Sequence, residues 1–216
     1  GGNMLVASGA VVTPQTSQFV FSGTTTQSVS ATGATLVFNN LTIGKGSGTG
    51  NIILSSNTNI QVNSTLLFAA GNVGTIDART STNAYVTALG TVTRTGTGHV
   101  DGQMRKTIPA GATTVLYEVG AGINYTPYTF QLTGNDGTSG IVSMTVIPGR
   151  HPYLDDAYLS PIDPERYIPR YWRMTQPSGS AFSRGTRSMT VTLQFIAPND
   201  LGTVDGAGCV NVAYWK

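Results

Sequence analysis

Charge is what this chain has least of. Its 216 residues include 12 Lys and Arg and 10 Asp and Glu, 10% of the total, where about a quarter is usual. The basic residues are scattered and the net charge is only +2. A positive track along a phosphate backbone is therefore missing, which excludes nucleic acid as a partner. No acid precedes Asp77, and Asp77, Asp101 and Glu118 are the only ones before Asp136. That scarcity argues against the facing carboxylates of glycoside hydrolysis. The single cysteine, Cys209, excludes an internal disulfide, and its setting "GCVNVAYW" reads as that of a small buried hydrophobe. His99 and His151 are the only histidines; neither stands at ligand spacing from another His or Cys, so a zinc site has no support and both read as polar surface. Apolar runs stay well short of the roughly 18 residues that suggest a membrane-spanning helix. The opening "GGNMLVASGAVV" lacks the basic start of a signal peptide, and the chain reads as a mature piece of something longer.

What is present is uncharged and β-prone. Hydrophobic residues make up 39%, glycine numbers 27, and Thr and Ser fill much of the rest. Disordered chains are poor in Val, Ile, Leu and aromatics, whereas β-branched residues with many glycines suit short strands and tight turns. No 3.6-residue period occurs, and the expected class is all-β. From Gln18 to Arg105 short runs such as "QFVFSG", "NIILSS" and "TNIQVNSTLLF" alternate with Gly, Ser, Thr and Asn. In "TLVFNNLTI", Leu36 and Phe38 alternate on one face, and Leu41 and Ile43 alternate one step out of phase. Asn39 and Asn40 occupy the break, where a bend between two short strands is expected because Asn tolerates turn conformations. Short strands joined at such corners predict a parallel β-helix, a solenoid with coils of about 20 residues or more, over residues 1–102. An antiparallel sandwich would give similar runs.

After "GTGHVDG" the alternation lengthens, as in Tyr128, Phe130 and Leu132, then Val142, Met144 and Val146, then Met189, Val191 and Leu193. Strands with one apolar face predict an antiparallel β-sandwich over residues 103–216. It is interrupted by a proline-rich loop at 149–169, and long irregular loops are often functional. Within that loop Asp155, Asp156 and Asp163, with Glu165 nearby, could hold Ca²⁺ through oxygen ligands. Their spacing matches no EF-hand or calcium repeat, and turn residues are the better account. Tyr153, Tyr158, Tyr167 and Tyr171 could present ring faces to a glycan, while alternation places Trp172 and Met174 on the core side. At the other end, "MLVASGAVV" is too apolar for a solvated tail. Residues 4–12 are expected to form a strand that caps the first coil or pairs with a neighbouring module.

"FVFSGTTTQSVS", "LVFNNLTI", "GTVTRTGTGHVDGQMRKTIPAGATTVLYEVGAG", "YTPYTFQLT", "HPYLDDAYLSPIDPERYIPRYWRMT" and "CVNVAYW" follow one another in an order that resembles a module of large secreted, adhesin-like surface proteins of Bacteroidetes. The resemblance spans nearly the whole chain. It implies export by the type IX secretion route, an extracellular or cell-surface location and no general enzymatic activity. A C-terminal sorting domain of that family is not visible, which favours a fragment. The function expected is a non-catalytic stalk, spacer or filament unit whose partners are neighbouring modules of the same or identical chains, with no cofactor beyond a possible Ca²⁺. The alternative is a carbohydrate-binding module of a secreted polysaccharide-active enzyme, with surface glycans as partners.

Overall fold

A computed structural model describes residues 2–7, 10, 12–31, 33–46, 51–69, 75–79, 83–96, 98–149, 168–194 and 196. The chain divides into two compact units, Gly1–Ile147 with Trp172–Gln194, and Pro148–Tyr171 with Phe195–Lys216. In the second unit the Gly149 N–H donates to the Pro169 carbonyl at 2.8 Å, so the two ends of the expected loop meet. The first unit is all-β and its sheets are mixed.

One sheet runs in the order β1 (Met4–Val6), β3 (Gln27–Ala31), β5 (Ile52–Leu54), β7 (Thr75–Asp77), β10 (His99–Asp101), β13 (Val119–Ala121) and β14 (Asn124–Tyr125). Every pair in it is parallel except the last. The apolar segment at the N-terminus thus forms a strand over Met4–Val6, in register with Val29–Ala31. A second sheet has β2 (Gln18–Gly23) at one end, followed by β4 (Thr35–Lys45), β6 (Asn59–Phe68), β8 (Tyr85–Ala88), β11 (Gln103–Ile108), β16 (Gly140–Pro148) and β17 (Arg170–Thr175), while β9 (Thr91–Arg94) pairs with the far half of β6. From β2 to β11 these pairs are parallel; β11 and β16 are antiparallel. Beyond Gly102 both kinds of ladder occur: β11 pairs in parallel with β8 and antiparallel with β16, and β13 pairs in parallel with β10. A third, antiparallel sheet contains β12 (Thr113–Tyr117), β15 (Tyr128–Thr133) and β18 (Ser188–Leu193).

The parallel registers repeat at nearly constant intervals. Val29 lies beside Leu54, and Ile52 beside Ile76, which in turn lies beside Val100. In the second sheet Leu36 lies beside Ile60 and Ile60 beside Val86. Residues that alternate along each strand consequently stack across strands, and Leu36, Phe38, Ile60, Val62, Val86 and Ala88 are all buried. Such columns remove apolar area from water at roughly 25 cal/mol per Å².

Asn39 and Asn40 carry the phase break, but they do not end the strand. β4 continues from Thr35 to Lys45, buried first at Leu36 and Phe38 and then at Leu41 and Ile43. The switch is absorbed by pairing: Phe38 faces Val62 and Asn40 faces Thr65, so β6 carries one residue more than β4 at this point. The expected interruption is a register irregularity inside a continuous strand, because backbone pairing on both sides keeps the segment extended. Asparagines in the left-handed conformation do occur one corner earlier, at Asn57 and Asn83, both with φ 58°. The Asn83 amide donates to Asn57 Oδ1 at 3.4 Å, linking adjacent turns.

Two layers on from Asn39–Asn40, past Asn63–Ser64 of β6, the chain turns a corner at Leu89–Gly90, between β8 and β9. A Cβ on Gly90 would collide with the backbone of Asn63 and Ser64. Replacing Gly90 by Ala is expected to cost about 1–3 kcal/mol, the usual range for overpacking. Gly44→Ala, whose Cβ would meet neighbours at 3.6 to 3.9 Å, serves as the neutral control. Urea unfolding of the two variants checks this, and equal midpoints would show that the corner relaxes freely.

Arg187, just before β18, is almost fully buried. Its guanidinium donates to four backbone carbonyls: Nε to Arg184 at 2.9 Å, Nη1 to Pro109 at 3.1 Å and Gly111 at 2.6 Å, and Nη2 to Ser183 at 2.6 Å. Asp136 lies beside this knot and accepts from the Thr186 N–H and hydroxyl, each at 2.7 Å.

Candidate functional site

Most of the residues singled out in the proline-rich loop, Asp155, Asp156 and Asp163 for Ca²⁺ and Tyr153, Tyr158 and Tyr167 for a glycan, lie outside the described residues, as do Glu165, His151 and Cys209. Tyr171 is described and is partly buried on β17. Trp172 packs against the core as its alternation suggested, and its indole N–H donates to the Thr126 carbonyl at 3.1 Å. Met174, expected on the same side, is instead 37% exposed, and the strand's last residues face solvent.

His99 is not polar surface. It is fully buried on β10, with its imidazole directly over Gly120, where no side chain could fit. The in-register neighbour of this strand begins one residue after Glu118, whose carbonyl accepts from the Val100 N–H at 2.9 Å. Glu118 is also buried, and its carboxylate pairs with Lys106 Nζ at 2.7 Å. Lys106 additionally donates to the Leu116 carbonyl at 2.7 Å. Burial raises the Glu118 carboxyl above its ordinary value, and the charges of Lys106 and Arg94 oppose that shift. Burial likewise lowers the Lys106 ammonium, opposed by Glu118. Arg94 sits with Cζ 3.6 Å from the centroid of the Tyr125 ring, a cation–π contact, and donates to the Gly98 carbonyl at 2.8 Å. The group thus brings an acid, two cations, an imidazole and a phenol together where the parallel ladder meets its antiparallel strands. The Lys106 and Glu118 side chains are only 12% and 6% exposed, and each holds the other.

A second pair lies nearby. Arg79 and Asp101 engage through one guanidinium edge, Nε to Oδ1 at 2.5 Å and Nη2 to Oδ2 at 2.7 Å, and Asp101 Oδ2 also accepts the Gly122 N–H at 3.0 Å. Arg79 forms part of the lining of an open cleft of about 380 Å³, with Asn83, Gln103 and Arg173 as the other long polar side chains and Ala78, Ala84 and Gly102 among the small ones. Gly102 has φ 142°, and a Cβ there would strike Ala78. Amide and guanidinium groups around small residues can donate hydrogen bonds to hydroxyl or carboxylate oxygens.

Neither pair was legible as a pair in the sequence. The available signal was placement: in so uncharged a chain, His99 and Asp101 alternate on one strand, and Arg105 and Lys106 interrupt the strand-like "QMRKTI". Among the described residues no His, Cys, Asp and Glu cluster is arranged to hold a metal ion, and no helix is long and apolar enough to cross a membrane. Comparison with protein-family models, curated proteins and solved structures finds nothing that matches this chain.

Proposed function

We propose that the chain is a non-catalytic structural or adhesive module, a stalk, spacer or filament unit of a larger extracellular or cell-surface protein, in keeping with its resemblance to modules of Bacteroidetes proteins exported by the type IX route. Its N-terminal part is read as a parallel β-helix and its C-terminal part as an antiparallel sandwich. The observation that carries this reading is the recurring register: strands in two sheets find partners at nearly equal intervals, with apolar columns between them. A ladder of this kind can be lengthened without redesign and presents an uncharged surface, both suited to a spacer. The buried ionisable groups support it too, because Lys106–Glu118 and Arg79–Asp101 are spent on joining strands. Ca²⁺ bound by Asp155, Asp156 and Asp163 has no part in this function.

The cleft beside Arg79 favours one other reading, a carbohydrate-binding module of a secreted polysaccharide-active enzyme, since Asn83, Gln103 and Arg173 match sugar hydroxyls and carboxylates. A glycan array and a panel of polysaccharide hydrolysis assays on the purified chain separate the two. The spacer reading expects neither binding nor turnover. Binding that disappears in Gln103→Ala or Arg173→Ala, or in Tyr153→Ala or Tyr167→Ala, would replace it with the carbohydrate reading. Hydrolysis abolished by one acidic substitution would overturn both non-catalytic readings.

A further inference from the structure

Before Asp77 the sequence holds a single side chain able to carry a charge, Lys45. It closes β4 with the same parity as Leu41 and Ile43, and it is buried as they are. Among the described residues its ammonium meets no carboxylate. It donates instead to three oxygens of the preceding layer, the carbonyls of Thr25 at 2.7 Å and Ser22 at 3.4 Å and Oε1 of Gln27 at 2.6 Å. The Gln27 carboxamide is itself held, because its nitrogen donates to the Gly2 carbonyl at 2.9 Å.

These oxygens belong to the corner between β2 and β3, and that corner is short. Residues 24–26 join these two strands, whereas residues 46–51 join β4 to β5 in the next layer. The pairing shows the same contraction. Gln18 of β2 lies beside Asn40, 22 residues later. Among β1 to β10 every other parallel pair is separated by 24 to 26, as in Ile52 with Ile76 (24), Gln27 with Ile52 (25) and Asn59 with Tyr85 (26).

The commoner interval of 24 is open to β2 on apolar grounds. A shift of two residues returns every side chain to its own face, and it sets Phe19 beside Ile43 in place of Leu41. What separates the two registers is Lys45. At 22 it lies beside Gly23, within reach of the corner oxygens. At 24 it would lie beside Phe21, a charge in an apolar column with no acid to meet it, and a buried charge without a partner is far costlier than an exchange of one apolar neighbour for another.

We propose that Lys45 is a register pin: it holds β2 at an interval of 22 residues by making the 24-residue register untenable. A single buried polar side chain can select one register in this way at a cost in stability. Where the columns are apolar, parity alone leaves registers two residues apart equivalent, so the choice falls to a group that only one of them satisfies. The inference goes beyond the proposed spacer role and does not rest on it.

The test is Lys45→Met, whose side chain suits the column in either register. Cross-strand backbone contacts in NMR spectra of isotope-labelled protein read the pairing, and thermal melting controls for folding. Wild type should show Gln18 beside Asn40 alone. In the variant a second set of signals, with Gln18 beside Thr42 and Phe19 beside Ile43, should rise to at least about a tenth of the molecules, the upper end of ordinary minor states. A folded Lys45→Met chain with wild-type pairs alone overturns the proposal. If that chain does not fold, Lys45→Gln, which leaves a neutral amide donor near the corner, decides by the same contacts. Failure of both to fold also overturns it, because Lys45 would then hold the fold together rather than choose between registers. Glycan binding would sink the spacer reading and leave these contacts unchanged, so the two failures are distinguishable.

Discussion

Arg187→Met is expected to destabilise the chain by roughly 4–6 kcal/mol, since each buried polar group left without a partner costs about 1–3 kcal/mol. Methionine fills much of the volume but donates nothing, and the carbonyls of Pro109, Gly111, Ser183 and Arg184 lose the same partner together. These carbonyls come from segments on both sides of the third sheet, so the guanidinium acts as a clasp between distant stretches of chain. Lysine is a poor substitute. Its three donors radiate from one atom, whereas the arginine fork spreads five donors in a plane. Arg187→Lys should therefore recover less than half of the loss. Gly137 shows how closely the fork is held, because any Cβ there would run into the guanidinium. Equilibrium urea unfolding reads the effect directly, and a loss for Arg187→Met below about 1 kcal/mol, the net worth of one ordinary hydrogen bond, would show that the carbonyls find water instead.

Glu118→Leu is the second large effect, with an expected cost of about 3–5 kcal/mol, because removal of one member of a buried ion pair strands the other. The double variant Glu118→Leu with Lys106→Met should regain most of that stability, less the hydrogen bond from Lys106 to Leu116. The pH dependence has a definite sign. Burial already lowers the Lys106 ammonium, and loss of the Glu118 charge lowers it further. Between that depressed folded value and the unfolded lysine value, the unfolded chain binds more protons than the folded one, so the single variant gains stability as pH rises. The deficit relative to wild type should shrink from neutral toward alkaline pH. In wild type Glu118 contributes in the opposite sense: its raised carboxyl favours the folded state at acid pH, and that benefit is lost as pH climbs through the folded value. A deficit that is flat or grows between pH 7 and 10, the range below the ordinary lysine value of about 10.4, would refute the assignment.

These two predictions rest on residues that sequence reasoning passed over, and the reason is physical. Alternation of Leu36 with Phe38, of Ile60 with Val62 and of Phe130 with Leu132 announces strands with buried faces, because a side chain's face follows from its parity along a strand. All-β structure and the phase break at Asn39–Asn40 were readable in that way. The partner of each strand was not, since pairing depends on turn geometry that sits in single residues. Gly33, Asn57 and Asn83 all adopt positive φ, at 69°, 58° and 58°, just ahead of the buried pairs Leu36 and Phe38, Ile60 and Val62, and Val86 and Ala88. Aligned on that turn, "ATGATLVF", "SSNTNIQV" and "STNAYVTA" become one pattern, although few of their letters coincide. The ion pairs were hidden for a different reason. Lys106 and Glu118 are brought together by the route the chain takes between β11 and β13, and no local rule of spacing encodes it. Arg187 offered still less, because its partners are carbonyls, which every sequence has everywhere.

The near-constant register has a consequence for how such a chain can change over time. Tyr85 stands beside Asn59, and Asn59 stands beside Thr35. Loss of the segment from Asn59 through Ala84 would deliver Tyr85 to the place Asn59 held, with the parity of every following side chain preserved. Loss of a single residue inside a strand would turn each later side chain of that strand to the opposite face. Length in this part of the molecule is therefore expected to change by whole register intervals or at loops, because only those changes keep every ladder in parity.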